Sequence, residues 1–275
     1  MPRLIRAALE RAGVRGPERV SSGVDVVGDI AIVRLSGFAA KERRKVGESL
    51  LEEMKNVSVV LEQEGGIEGE YRLRKLVHLA GERRTLTVHR ENGCAFKVDV
   101  ARTYFSPRLS TERLRVAEAV GAEERVLNMF AGVGPYSVLI AKRSGARVTS
   151  CEVNGLAAEL HRENDRMNKV EDLVTVVNAD AADLPGLVKS KFDRILLPHP
   201  SQADRFLPVA LKLAAPGGRL VYYRHVLGVD EEEAAKALRR ELKGLLPPRS
   251  RSRLRRVREV GPRWVEMVAD VKLPR

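Results

Sequence analysis

From residue 111 onward the sequence switches regularly between two periods, and this alternation constrains the fold more than any other feature. ERVLNMF, RVTSCEVN, LVTVVNAD, FDRILLP and GGRLVYYRH are apolar runs of strand length. Segments with helical spacing stand before and between them, at 111–120, after Gly134, at 155–168, briefly before Phe192, and at 203–214 and 230–245. Strands joined through helices build βαβ units on a parallel sheet. Such sheets bind ligands outside the carboxyl ends of their strands, so chemistry-bearing residues are expected just after each apolar run. The tail from Arg249 reads as two further strands and opens with an arginine cluster, Arg249 to Arg258.

The first hundred residues follow another pattern. A helix ending near Gly13 leads into a Gly/Pro linker. Two β-rich pieces flank Gly28-Asp29, a hairpin signal, and 41–55 has helical spacing. VSVVLEQ, EYRLRKLVHLAG, RTLTVHREN and CAFKVDV then form short strands, with basic residues at alternate positions that leave one face positive. The expectation is a small α+β domain over 1–100 and an α/β domain over 101–275.

The net charge of +12 suggests a polyanionic partner, with nucleic acid the leading candidate. Cys94 and Cys151 are the only cysteines, too few for a zinc site unaided, and nothing indicates secretion. No apolar run approaches the ~18 residues of a membrane span. The expectation is a cytoplasmic protein without a bound metal.

Asn128–Ser137, NMFAGVGPYS, lies between a strand and a helix. Gly132 and Gly134 permit a tight turn and close backbone approach to a ligand at a helix N-terminus. A dinucleotide fingerprint would need a third glycine where Ser137 stands. Glu152 and Asp180 follow the next two apolar runs, placed for ribose hydroxyls and an adenine edge. Either carboxylate alone would serve equally well as a helix cap or a solvated group. Together with the loop they suggest an adenosine-containing cofactor without phosphates, S-adenosyl-L-methionine. Ile195–Leu197 stops on Pro198-His199-Pro200, a stiff corner that no central strand can continue.

FAGVGPYS, RLSTER, GGRLVYYRH, VVGDIAIV, GEYRLR, HRENGCAFKVDVARTYFSPRLSTER and FDRILLPHP, in chain positions 24–226, resemble a known family. It is the tRNA guanine-N1 methyltransferases that act immediately 3′ of the anticodon, at position 37, with their wyosine-pathway relatives. The resemblance implies a class I methyltransferase core, a Rossmann-like doubly wound sheet, behind a small substrate-binding domain. It implies S-adenosylmethionine as methyl donor and the anticodon region of tRNA as partner, with the enzyme a monomer. It matches Glu112 to the general base for the guanine N1 proton and Arg72 to a cation stabilising charge on O6. Tyr104, Pro107 and Arg108 match the loop around cofactor and target base. Phe130, Ala131, Gly132, Val133, Gly134 and Pro135 match the methionine side of the site, and Glu152 and Asp180 the ribose and adenine contacts. Pro198, His199 and Pro200 match the strand-end motif beside the cofactor and base.

The chemistry needs such groups. Guanine N1 carries a proton, so methylation there requires a base within hydrogen-bond reach and a cation for the charge left on O6. Without the family, Glu112 would read as an exposed helix-start residue pairing with Arg115 or Arg108, and Arg72 as one more basic strand residue. The chain departs from the family pattern at Asn128, where Asp is common, a change expected only to trim a hydrogen bond to the loop. It departs again at Pro198-His199-Pro200, where many relatives have Asn-Leu-Pro and use the Asn amide on the target base. With the first family motif near residue 24, the extra N-terminal domain some relatives use on the tRNA outer corner is not expected here. The basic small domain and the Arg249–Arg258 run are the expected substitutes, the run otherwise being a solvated strand face. The rival readings are a wyosine-pathway transferase, methylating a tricyclic intermediate or moving an aminocarboxypropyl group, and a non-catalytic tRNA-binding protein.

Overall fold

The computed structural model describes residues 3–14, 23–35, 37–69, 71–228 and 230–275. Most of the Gly/Pro linker expected after Gly13 lies outside the described residues. The chain divides into two compact units between Thr111 and Glu112.

In the first unit, helices α1 (Arg3–Arg11) and α2 (Ala40–Glu53) cover a four-stranded sheet ordered β1 (Asp25–Val27), β2 (Ile30–Val33), β3 (Val59–Glu68), β4 (Leu73–Gly81). Ile5, Ala8 and Leu9 of α1 and Val46 and Leu50 of α2 share one core with Ala31, Val33 and Val60. The β1–β2 hairpin turns at Gly28, φ +57, as its Gly-Asp signal indicates. A Cβ at Gly28 would collide with Thr87 and the Val88 carbonyl, so the turn lies directly against β5 (Leu86–Glu91). That strand pairs with β6 (Cys94–Asp99) through Asn92-Gly93, both at positive φ, the conformation a two-residue hairpin favours. The basic face expected on β4 is incomplete, because Arg74 is drawn in to pair with Asp25 at 3.3 Å.

The second unit is built on a seven-stranded sheet ordered β12-β13-β11-β10-β7-β8-β9. β7 (Arg125–Asn128), β8 (Arg147–Glu152), β9 (Val174–Asn178), β10 (Phe192–Leu197) and β11 (Ala214–Leu227) pair in parallel. β13 (Trp264–Lys272) runs antiparallel to β11 and is flanked by β12 (Arg251–Gly261). Before the sheet stands α3 (Ser110–Glu118), and the crossovers carry α4 (Pro135–Ser144), α5 (Gly155–Asn168), α6 (Leu184–Leu187), α7 (Ala203–Leu213) and α8 (Glu231–Leu245). The order reverses between β7 and β10, which opens the crevice of a doubly wound sheet. β7 and β10 are near-continuous apolar because helices bury both sheet faces. On one face Leu127, Ile195, Leu197 and Leu220 pack with Leu207 and Ala210 of α7 and Leu238 and Leu242 of α8. Adjacent residues of β11 serve opposite faces, as strand geometry requires. Tyr222 donates to Glu241 of α8, while Tyr223 bonds Glu112 of α3 and Tyr136 of α4. Among the described residues no helix is long and apolar enough to cross a membrane.

Candidate active site at the carboxyl edge of the sheet

The glycine loop is held from several sides. Gly132 (φ +57) and Gly134 (φ +88) are left-handed, and Pro135 starts α4, where its missing N–H costs nothing. A Cβ at Gly134 would stand 2.1 Å from the His161 ring on α5, an impossible contact. His161 is fully buried, and that burial depresses its pKa to about 3, so it meets the loop as a neutral ring. Asn128 does more than expected of it. Its amide nitrogen donates to Ser137 Oγ at 3.0 Å, and its oxygen accepts from the Phe130 N–H at 3.4 Å. Asn128 thus holds the loop and the first turn of α4 through both ends of its amide.

Glu152 closes the loop from the next strand. Its Oε2 accepts from the Gly132 N–H at 2.7 Å and its Oε1 from Asn154 at 2.9 Å. Burial raises its pKa, against these amide hydrogen bonds. Asp180 accepts from the Ala182 N–H at 2.8 Å and caps the short turn Ala181–Asp183, so its capping role is real; Oδ2 is the atom that remains for a ligand N–H. The loop residues Phe130–Pro135 include no Lys or Arg. A backbone cradle whose Gly132 N–H is already taken by Glu152, with two carboxylates at successive strand ends, fits an adenosine portion.

Glu112 is buried, not exposed, and lies in the first turn of α3. Arg115 grips both oxygens, at 2.8 and 3.0 Å, and is itself held by Asp270 at 2.9 Å. Tyr223 donates to Oε1 at 2.8 Å, and Arg255 bonds Oε2. Tyr136 donates in turn to the Tyr223 hydroxyl at 3.1 Å, which links the glycine-loop helix to the carboxylate. Burial alone would raise the Glu112 pKa, but the hydrogen bonds and charge of Arg115, with those of Tyr223 and Arg255, outweigh it and hold the pKa low. Tyr222 pairs in register with Leu197, so Tyr223 stands level with Pro198. The ionised carboxylate thus sits at the height where β10 ends.

At that end, His199 is buried and meets the Phe130 ring edge-on at 5.2 Å, with Phe206 on Phe130 at 5.0 Å. Ser201 Oγ lies 3.3 Å from His199 Nδ1, and the Gln202 N–H donates to the His199 carbonyl at 3.0 Å. Pro198 and Pro200 fix φ on either side. The corner therefore seats an imidazole against the glycine loop.

The first unit carries the other sequence-selected residues. Arg72 has φ +54, in a turn where its N–H donates to the Gly69 carbonyl at 3.1 Å. For a non-glycine residue this conformation costs about 1–3 kcal/mol, and such strain clusters at functional positions. Its guanidinium lies 4.4 Å from the centre of the Tyr104 ring, a cation–π contact. Pro107 opens the short turn Pro107–Leu109, and Arg108 pairs with Asp25 at 2.6 Å, not with Glu112. Tyr136, Tyr223 and Arg255 are the residues sequence reading missed. The YYRH doublet was visible, but its two-faced role needed the position of α3, and Arg255 lies 143 residues from Glu112.

Residues 87–245 match the family model described as the TRM5/TYW2 methyltransferase domain, and residues 8–85 match the TYW2 N-terminal domain. The chain is 41% identical over 199 residues to the tRNA (guanine(37)-N(1))-methyltransferase Trm5b of Pyrococcus abyssi, covering 72% of this chain and 58% of that protein. It is 30% identical over 251 residues to the tRNA 4-demethylwyosine(37)-methyltransferase Taw21 of Saccharolobus solfataricus, covering 90% and 93%. A solved complex of aTrm5 with tRNA-Leu superposes with a TM-score of 0.83 at 33% identity, over 93% of this chain and 73% of that one. The chain thus spans less than two thirds of its Trm5b relative. S-adenosylmethionine is the cofactor of this methyltransferase family. With the strand order, glycine loop and carboxylates in place, the chain belongs to the TRM5/TYW2 methyltransferase family.

Proposed function

We propose that this protein is a cytoplasmic tRNA methyltransferase that moves a methyl group from S-adenosylmethionine to N1 of guanosine 37, acting as a monomer. Residues 1–100 would serve tRNA binding and 101–275 the transfer. The observation that carries this reading is the buried carboxylate of Glu112, kept ionised by Arg115, Arg255 and Tyr223 beside the end of β10.

The cofactor supplies an electrophilic methyl carbon. Glu152 and Asp180 would accept from its ribose and adenine, and Phe130–Pro135 would line its methionine side. Glu112 accepts the N1 proton as the N1–C bond forms and the S–CH3 bond breaks, so the base leaves methylated and neutral. Arg72, preset over Tyr104, stabilises the charge on O6. Pro107 and Arg108 flank the base, with Pro198, His199 and Pro200 at the strand end. Incubation with labelled cofactor and unmodified tRNA bearing guanosine 37, followed by nucleoside analysis, should yield 1-methylguanosine. Absence of label in that nucleoside, with the tRNA bound, excludes the reaction.

A second reading rests on two observations. The first unit matches the TYW2 N-terminal model, and the strand end carries Pro198-His199-Pro200, the departure from the resembled family pattern. It makes the acceptor a wyosine-type tricyclic base. The same assay with tRNA carrying 4-demethylwyosine, using cofactor labelled in either the methyl or the aminocarboxypropyl group, separates it from the first.

A further inference from the structure

On the far side of the Pro-His-Pro corner lies a groove that shares only Pro200 with the proposed chemistry. We infer that it receives an unpaired nucleobase next to the target, stacked on Trp264. This rests on the reading above that the substrate is tRNA.

The position follows from topology. β11 runs parallel to β10 and ends at Leu227, which pairs with Trp264, the first residue of antiparallel β13. The tip of the β12–β13 hairpin is therefore at the carboxyl edge, the edge that holds the glycine loop. It is fastened there by the Gly228 N–H, which donates to the Arg263 carbonyl at 2.9 Å. The corner divides this edge. His199 faces Phe130 on the cofactor side, while Pro200 and Ser201 line the groove with Arg224, His225, Val260 and Trp264. The corner and groove are joined by the His225 N–H, 3.3 Å from the Pro200 carbonyl.

The groove encloses about 500 Å³, within the range of small-ligand sites. Its walls are fixed: Arg224 is forked onto Asp204 at 3.0 Å by two bonds and held by Glu241. Trp264 is 45% exposed although it is the largest apolar side chain type, and Val260 beside it is 40% exposed. The adjacent Arg263 is also exposed at the hairpin turn. An exposed tryptophan whose chain neighbour is an exposed arginine, on a chain of net charge +12, is a combination suited to single-stranded nucleic acid, by stacking and phosphate contact. A base that is to be methylated must leave its stack, and its neighbour then loses a stacking surface. A platform on the same sheet edge replaces that surface.

Trp264 is the only tryptophan, so the intrinsic emission of the whole chain reports on this groove. Titration with an anticodon stem–loop RNA should quench that emission and shield it from acrylamide. Trp264→Ala should raise KM for tRNA about 10-fold with cofactor affinity and melting temperature unchanged, and Trp264→Phe should restore most of the loss. Emission and acrylamide access unaffected by RNA, or an unchanged KM in the alanine variant, overturns the inference. Quenching by a neutral apolar peptide but not by RNA overturns it as well. If RNA quenches but no methyl group is transferred to any acceptor, the groove assignment stands and the proposed reaction fails.

Discussion

Glu112 separates two ideas about buried acids. A carboxylate desolvated on its own is pushed toward protonation, but the Arg115 fork, Arg255 and Tyr223 reverse that and keep the charge. Its lowered pKa keeps it deprotonated, which is what the proposed base role requires. Glu112→Ala should leave cofactor affinity intact, measured by calorimetry, and slow single-turnover methyl transfer by about 10²-fold or more. Unchanged transfer removes Glu112 from the base role. A second acid behaves oppositely. Asp165 on α5 faces neutral His161 at 3.4 Å, and burial raises its pKa to about 7. The unfolded group ionises near 3.8, so its contribution to stability is full below that value and is lost as pH rises to about 7. His161 pulls the other way below its unfolded value of 6.5. Asp165→Asn should therefore melt above wild type at pH 8, and the gap should close as pH falls toward 4. A gap that widens on acidification contradicts this.

At the scale of elements, what could be read in advance was whatever repeats locally. The apolar runs and helical spacings gave β7 to β11, α5, α7 and α8 to within a few residues, and α6 as a short helix without bounds, because periodicity and local signals such as Asp230, which caps α8 through the Glu233 N–H, are contained in each segment. β11 proved longer than GGRLVYYRH, since pairing with β13 extends it to Leu227. The Arg249–Arg258 run was illegible as a unit, because alternate strand residues face different neighbours. Arg255 bonds Glu112, Arg258 bonds Glu266 at 2.7 Å and Arg256 reaches Glu259, while Arg251 and Arg253 stay exposed on an edge strand that their charge protects from pairing. Glycine loop and carboxylates were legible, being tied to strand ends. The partners of Glu112 were not, since nothing local announces a contact across 143 residues. The corner after β10 is the element proposed to bear on acceptor choice. Replacing Pro198-His199-Pro200 by Asn-Leu-Pro should shift the preference between guanosine and 4-demethylwyosine acceptors by about 10-fold or more, with cofactor affinity unchanged. Equal preference in both forms detaches the corner from base selection.

For the molecule as a whole, the excess of 12 positive charges predicts how binding responds to solvent. Raising salt from 50 to 200 mM should weaken tRNA binding by about 10³-fold, read from filter-binding isotherms, and leave binding of the small cofactor nearly constant. A flat response removes phosphate contacts as the main source of affinity.

The strand order also has a consequence in time. β13 inserts between β11 and β12, and it carries Asp270, which holds Arg115, while β12 carries Arg255. During synthesis, β7 to β11 emerge first and can close the cofactor cradle among themselves. The carboxylate on α3 must wait for both late strands before its arginines are in place. Ribosome-bound chains would thus form the glycine-loop cradle well before the Glu112 carboxylate cluster, so the two halves of the proposed site would be completed in that order.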